Sequence, residues 1–265
     1  MTQTDWPAVF DASYTRQQHR ETRKRVWREV YGDDYAEQAD PYSYISETEL
    51  GLFAAESRLA EGELLLDLGC GRGGSGLAVA ERTGARLLGL DISEVALAEA
   101  RAAAARALGA EAAEPDRFAF RRGEFAETGV PDGAAHAVMS VDALTFALDK
   151  QQALEEIHRV LAPGGRLVFT SWDYHRTPED RPPQVPDHRP LLERAGFRVC
   201  AYEETRDWRQ RIEAVSQGLI ERRDELAAEE GAEAADAVVA SLRHQMAHQN
   251  PLMSRRFLAV AERPR

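Results

Sequence analysis

One run carries most of the recognisable chemistry: Leu64-Leu65-Leu66-Asp67-Leu68-Gly69-Cys70-Gly71-Arg72-Gly73-Gly74. An apolar stretch ends in an acid, passes into a glycine-rich turn and opens a helix-like segment. Gly69, Gly71 and Gly74, with the acidic Asp91 about 20 residues on, formally satisfy a dinucleotide-binding pattern. On that count alone the loop suits nicotinamide, flavin or adenosyl cofactors. Three further features discriminate. Asp67 precedes the first glycine by two positions, where a carboxylate suits an ammonium group and suits a pyrophosphate poorly. Glu124 follows the third apolar run, where an adenine amino group needs an acceptor. Pro163-Gly164-Gly165 precedes the fifth run.

Such a loop works only at the end of a strand, and the surrounding pattern supplies strands. Short apolar runs at 64–66, 87–90, 118–120, 137–139 and 166–169 alternate with helix-length stretches at 77–82, 93–108 and 150–161. Continuous apolar strands alternating with helices predict a parallel sheet covered on both faces. Ser93 is a capping residue and Glu94 falls in the first turn of its helix. Pro163-Gly164-Gly165 should end the helix at Leu161 and turn into a strand over 167–170. A proline-rich loop over 176–190, a short helix over 191–195 and a strand over 199–203 follow. Trp208, Ile212, Val215 and Leu219 form one helical stripe; Val238, Leu242 and Met246 form another. The charge-rich stretch 221–236 reads as a solvated helical face, and 257–261 as a last strand.

Composition excludes whole classes. Hydrophobic residues make up 43% and charged residues 29%, an ordinary globular balance. No apolar run reaches the ~20 residues of a membrane span. The first seven residues lack the basic and apolar regions of a signal peptide, and only Cys70 and Cys200 occur, so a reducing cytoplasm is expected. The net charge of -12 argues against a nucleic-acid partner.

The linked motifs from about 63 to 172 resemble those of the class I S-adenosylmethionine-dependent methyltransferases. Asp67–Gly73 reads as that family's acidic glycine motif, Asp91 as the acid ending the second strand, Glu124 as the acid after the third, and Ser140–Asp142 as the fourth-strand motif. The resemblance implies a doubly wound, Rossmann-like α/β fold. Its sheet is seven-stranded and mostly parallel, with helices on both faces, an N-terminal helical cap and a helical insertion before the last strand. The divisions expected are 1–60 (cap), 61–206 (cofactor core), 207–250 (insertion) and 251–265 (final strand). It also implies the cofactor, S-adenosylmethionine, and the roles of single residues. Gly69, Gly71 and Gly73 let the backbone approach the methionine moiety; Asp67 orients the loop and meets the ammonium. Asp91 accepts both ribose hydroxyls, Ile92 lies on the adenine, and Glu124 and the Phe125 backbone serve its edge. The backbone at Ser140 reaches the ammonium.

The acceptor is less legible. After the fourth strand the chain reads Ser140-Val141-Asp142-Ala143-Leu144, without the Pro-Pro-aromatic motif of enzymes that methylate nucleobase or glutamine amines. That leaves a small-molecule acceptor methylated at O, N or C, in natural-product biosynthesis, by a monomer or homodimer without membrane or nucleic-acid partners. Ligands bind at the carboxyl ends of the strands in such sheets. His175 is therefore the first base candidate and Asp142 the second. His244 and His248, spaced i, i+4, lack a third ligand, so no metal is expected, and Cys70 is not expected to be a nucleophile. Two other readings stay open: an NAD(P)-dependent oxidoreductase and a non-catalytic S-adenosylmethionine-binding protein. At about 150 mM salt the protein should retain neither duplex DNA nor tRNA in a gel shift; micromolar retention would overturn the small-molecule reading.

Overall fold

The computed structural model describes residues 4–17, 20–39, 41–109 and 116–265. Seven strands form one sheet: β1 (Leu64–Leu68), β2 (Arg86–Asp91), β3 (Phe118–Arg122), β4 (Ala135–Val141), β5 (Leu161–Tyr174), β6 (Arg198–Glu204) and β7 (Met253–Glu262). Their order is β3-β2-β1-β4-β5-β7-β6. The first five pair in parallel, and β7 runs antiparallel between β5 and β6. The connection reverses between β1 and β4, the place where a doubly wound sheet opens a crevice for ligands.

The helices α1 (Trp6–Arg16), α2 (Glu21–Tyr31) and α3 (Glu47–Ser57) precede the sheet. Those between its strands are α4 (Gly74–Thr83), α5 (Glu94–Leu108), α6 (Lys150–Val160) and α7 (Arg189–Arg194). The stretch between β6 and β7 holds α8 (Trp208–Glu221), α9 (Arg223–Glu230) and α10 (Ala232–His244). Alternate strand residues bury on opposite faces. Leu65, Leu87 and Met139 pack with Leu50 and Phe53 of α3, Val79 of α4 and Leu97 of α5. Leu66, Val138 and Phe169 pack with Leu154 and Ile157 of α6 and Leu192 of α7. Among the described residues no helix is long and apolar enough to cross a membrane.

Three expectations shift. The division at residue 60 does not follow the packing, because α3 lies on the sheet beside α4, whereas α2 packs against the helices that follow β6. The Pro163-Gly164-Gly165 run lies within β5 rather than before it. Its backbone finds partners at the end of β7: Gly164 N–H donates to the Arg263 carbonyl (2.8 Å) and Arg263 N–H to the Gly165 carbonyl (2.9 Å). The stretch 221–236 is not solvated throughout. The Glu229 Oε1 atom accepts the N–H (2.9 Å) and hydroxyl (2.6 Å) of Thr22, doing for α2 what a capping side chain does, and Glu230 accepts Nε of Arg23 at 3.2 Å. Those contacts join the two expected helical regions into one cap. Val26, Trp27 and Tyr31 of α2 bury against Val215 and Leu219 of α8, Leu226 of α9 and Leu242 of α10.

Cap and sheet meet at Arg256 of β7, the largest fully buried side chain. Its Nη1 donates to Glu49 Oε1 (2.7 Å) and to Thr205 Oγ1 (3.2 Å), and its Nε to Asp142 Oδ1 (3.2 Å). Glu49 also completes the capping box of α3, with its other oxygen accepting the Ser46 N–H at 3.0 Å. The two acids hold the guanidinium above its already high ordinary pKa, against burial, which acts to lower it. Arg256→Met leaves two acids buried without their cation and should destabilise the protein by about 3–5 kcal/mol in urea unfolding. A loss below about 1 kcal/mol would show that these acids are not buried charges.

Candidate active site

The carboxyl ends of β1, β2 and β4 open into a cavity of about 1070 Å³. The glycine loop forms its floor. Gly69, Gly71 and Gly73 all have positive φ (+72°, +52° and +79°). Packing enforces the choice at all three: a Cβ on Gly69 would stand 2.4 Å from Ala143 Cβ, one on Gly71 2.7 Å from the Tyr14 hydroxyl, and one on Gly73 2.8 Å from the Phe120 ring. The loop's amides are largely spent inside the protein. Gly69 and Cys70 donate to the Leu90 carbonyl (2.8 and 3.0 Å), Gly73 to the Cys70 carbonyl (2.9 Å) and Gly71 to Asp91 Oδ2 (2.8 Å). A pyrophosphate needs such amides free, so this loop is a poor dinucleotide cradle.

Two carboxylates face this floor. Asp91 is buried; one oxygen accepts the Ser93 N–H (2.9 Å) and the other that of Gly71. Burial pushes its carboxyl up, and the backbone amides of Ser93, Gly71 and Ile92 pull against it. Asp67 is 2% exposed, lines the cavity, and meets no hydrogen-bond donor among the described residues. Burial, then the neighbouring Asp91, pushes its carboxyl up to about 8. Gly76 makes room for it, since a Cβ there would lie 2.5 Å from Oδ2. A buried carboxyl without a donor, open to a cavity, fits a cationic group and fits an anion badly. Ile92 and Phe125 line the same cavity, and the Phe125 ring packs toward Gly69; Glu124 is at the exposed rim, on a bridge to Glu127.

The N-terminal helix covers the loop. Arg72 donates to the Tyr14 and Gln17 carbonyls (both 3.0 Å) and to Glu99 (2.8 Å), which ties the end of α1 to the loop and to α5. Asp11 accepts the Ser93 hydroxyl at 2.6 Å, extending the cap of α5. The Tyr14 and Tyr42 rings stack at 5.1 Å.

The methyltransferase-domain family matches residues 66–169, from β1 into β5. This core is a class I methyltransferase domain. The chain is 27% identical to the chloroplastic tocopherol O-methyltransferase of Arabidopsis thaliana over 164 residues, 56% of this chain and 46% of that protein. It is 31% identical to the sterol 24-C-methyltransferase of Eremothecium gossypii over 136 residues, 51% of this chain and 34% of that protein. The chain thus spans less than half the length of these curated relatives. Among solved structures it resembles the 4+2 cyclase SpnF (TM-score 0.69, 24% identity, 95% of this chain and 96% of that one). It also resembles the Haemonchus contortus phosphoethanolamine N-methyltransferase 2 (TM-score 0.72, 17% identity, 97% and 60%). At those identities the likeness concerns the fold.

Not every expected residue reaches the cavity of the methyltransferase core. Ser140 is behind its wall, fully buried, with its hydroxyl donating to the Leu68 carbonyl at 2.8 Å. His175 is exposed and does not line the cavity. The reason is strand parity: β5 runs on to Tyr174, so Trp172 and Tyr174 face the cavity and Asp173 and His175 face away. Asp142 does line it, with a left-handed φ of +54°. Its carboxylate, however, is committed to Arg256 and to the Tyr44 N–H (2.8 Å), which removes it as a free base. Burial pushes the Cys70 thiol well up, so it stays protonated. His244 lines the cavity mouth with Nε2 3.5 Å from Asp180, and among the described residues no three metal-ligating side chains converge.

Trp27 is a wall ring that the sequence reading missed; it stands with Tyr44, Trp172 and Tyr174, and α8 and α10 supply Ile212, Val215, Leu219, Val238 and Leu242. Lys150 pins the Thr145–Ala147 wall by donating to the carbonyls of Thr145 (3.2 Å), Ala147 (3.3 Å) and Pro183 (2.6 Å); burial pushes its ammonium down to about 8. For Asp67 the sign of the pH effect follows from its raised pKa. The stability that comes from the protonated carboxyl is fully present below about pH 4, the value for the unfolded chain, and is lost as pH rises through the folded value of about 8. The ligand-free protein should therefore lose on the order of 2 kcal/mol between pH 5 and pH 8 that Asp67→Asn does not lose. Equal slopes for both in urea unfolding would show that Asp67 is solvated.

Proposed function

We propose that this chain is an S-adenosylmethionine-dependent methyltransferase that moves a methyl group to an O, N or C atom of a largely apolar small molecule in secondary metabolism. One observation carries the reading. A single cavity joins the Asp67–Asp91 floor to an aromatic chamber, and its volume of about 1070 Å³ stands at the top of the roughly 300–1,000 Å³ usual for one drug-sized ligand. Cofactor and acceptor can lie side by side in that space. The tocopherol and sterol relatives agree with an apolar acceptor.

The residues present fit the cofactor. Asp67 would hold its ammonium, Asp91 its ribose hydroxyls, Ile92 and Phe125 its adenine face, and Glu124 the adenine edge. When bound, the cofactor supplies a methyl group on a positively charged sulfur. The chain's part is then to align the acceptor and exclude water, and alignment alone is worth about 7–11 kcal/mol of barrier. Tyr14 and Tyr42 close over the loop from above. At the strand ends the Tyr44 hydroxyl is pushed up to about 12, by burial first and by Asp142 second, and burial raises Tyr174 as well. Both stay protonated at neutral pH, and so neither serves as a base. With Asp142 held by Arg256, these groups favour catalysis by alignment over side-chain proton removal.

Calorimetry with S-adenosylhomocysteine and with NADH tests the cofactor. The first should bind and the second should not, and Asp91→Ala should weaken the first by roughly 1.5–3 kcal/mol, the scale of hydrogen bonds to a charged group. Binding of NADH alone would return the chain to the oxidoreductase reading. Tight binding of S-adenosylhomocysteine with no turnover on any apolar acceptor would favour a binding protein without catalysis.

A further inference from the structure

Beyond the strand ends the cavity continues into the cap along a row of rings. Trp172, at the end of β5, meets Tyr44 edge-on at 6.2 Å, and Tyr44 stacks on Trp27 of α2 at 5.9 Å. The polar atoms of two of these rings are turned to protein partners: Trp27 Nε1 donates to the Ser43 carbonyl (3.0 Å), and the Tyr44 hydroxyl bonds Ser216. The faces are left for carbon. Val215 and Leu219 of α8 and Val238 and Leu242 of α10 supply more of the wall.

One turn before Trp27 on the same face of α2 is Arg23, which also lines the cavity. Its side chain is 6% exposed. Nε meets Glu230, and among the described residues neither terminal nitrogen meets an acceptor; Nη2 is wholly buried without one. Leaving such donors unpaired in an apolar wall is costly unless a ligand satisfies them. The charge, in contrast, is already balanced. Glu230 has a fully buried side chain beside Arg23, and Glu229 is close by on Thr22. A second anion would meet those carboxylates, whereas an uncharged oxygen satisfies the N–H groups and adds no charge.

Building on the methyltransferase reading above, we propose that Arg23 is an acceptor-binding residue. The acceptor is a carbon-rich, ring-bearing molecule that lies along Trp172, Tyr44 and Trp27, with a neutral carbonyl or hydroxyl oxygen held by Arg23 at the end remote from the methylated atom.

Naphthalene, 2-naphthol and 2-naphthoate are suitable calorimetric probes, titrated into the full chain saturated with S-adenosylhomocysteine. The wild type should bind 2-naphthol about tenfold more tightly than naphthalene, the worth of one hydrogen bond to a charged donor, and 2-naphthoate no more tightly than 2-naphthol. Arg23→Leu should erase the preference for 2-naphthol and leave naphthalene unchanged. Val238→Trp, which fills the chamber, should weaken all three probes and leave S-adenosylhomocysteine affinity unchanged. Should Arg23→Leu fail to fold, judged by its S-adenosylhomocysteine titration, Arg23→Gln carries the test, with a reduced preference expected. A preference that survives the Arg23 change, its absence in the wild type, tightest binding of 2-naphthoate, or indifference to Val238→Trp would each overturn the proposal. Loss of S-adenosylhomocysteine binding by the wild type would instead sink the cofactor reading, and the probe titrations without it would still judge Arg23.

Discussion

Burial of one guanidinium organises the ligand-binding end of this protein. Arg256 enters on β7, far from water, and a charge in that position survives only with acids around it. The acids come from two directions: Glu49 from α3, on the face of the sheet, and Asp142 from the end of β4. Meeting Arg256 accompanies a left-handed backbone at Asp142, a conformation that side chains other than glycine adopt at a cost. The same carboxylate receives the Tyr44 amide and so sets where that ring stands between Trp172 and Trp27. The apolar wall is thus positioned by an ionic cluster behind it, and Arg256 itself packs over Trp172 at 5.7 Å.

The cofactor end follows a different logic. Burial disfavours charge at both Asp67 and Asp91, and Asp91 further raises the proton affinity of Asp67. Carboxylates kept where they cost stability are the pattern of a site prepared for a cation.

How much of this the sequence disclosed depended on the range of the interaction concerned. Strand and helix order, the Ser93 cap and the acid-glycine loop are local, and local patterns announce them. The closure of the site is not local. Arg256 meets Glu49, Glu229 meets Thr22, and Asp11 meets Ser93, pairings between positions that no periodicity links. Arg256 lies just before the strand expected over 257–261, so no local pattern marked it as buried. His175 shows how one misjudged length propagates. The strand was expected over 167–170, and its extension to Tyr174 settles which neighbours face the cavity, because a strand alternates faces at every residue. Glu229 and Glu230 were read as solvated for lack of any local sign that α2 needed an acceptor from elsewhere in the chain.

The antiparallel last strand has a consequence for how the molecule is made. β7 enters between β5 and β6, so β6 has no place in the sheet until residues 253–262 exist, and the cap lacks α8, α9 and α10 until still later parts of the chain have left the ribosome than those that form the glycine loop. The parallel half can collapse early on contacts of modest separation, whereas the chamber depends on closing loops that span most of the chain, the slow kind. During synthesis there is then an interval in which the floor of the crevice exists without its roof. In that interval Leu258 and Val260 have not yet covered their part of the core, and the edge of β5 is open to pairing with another chain.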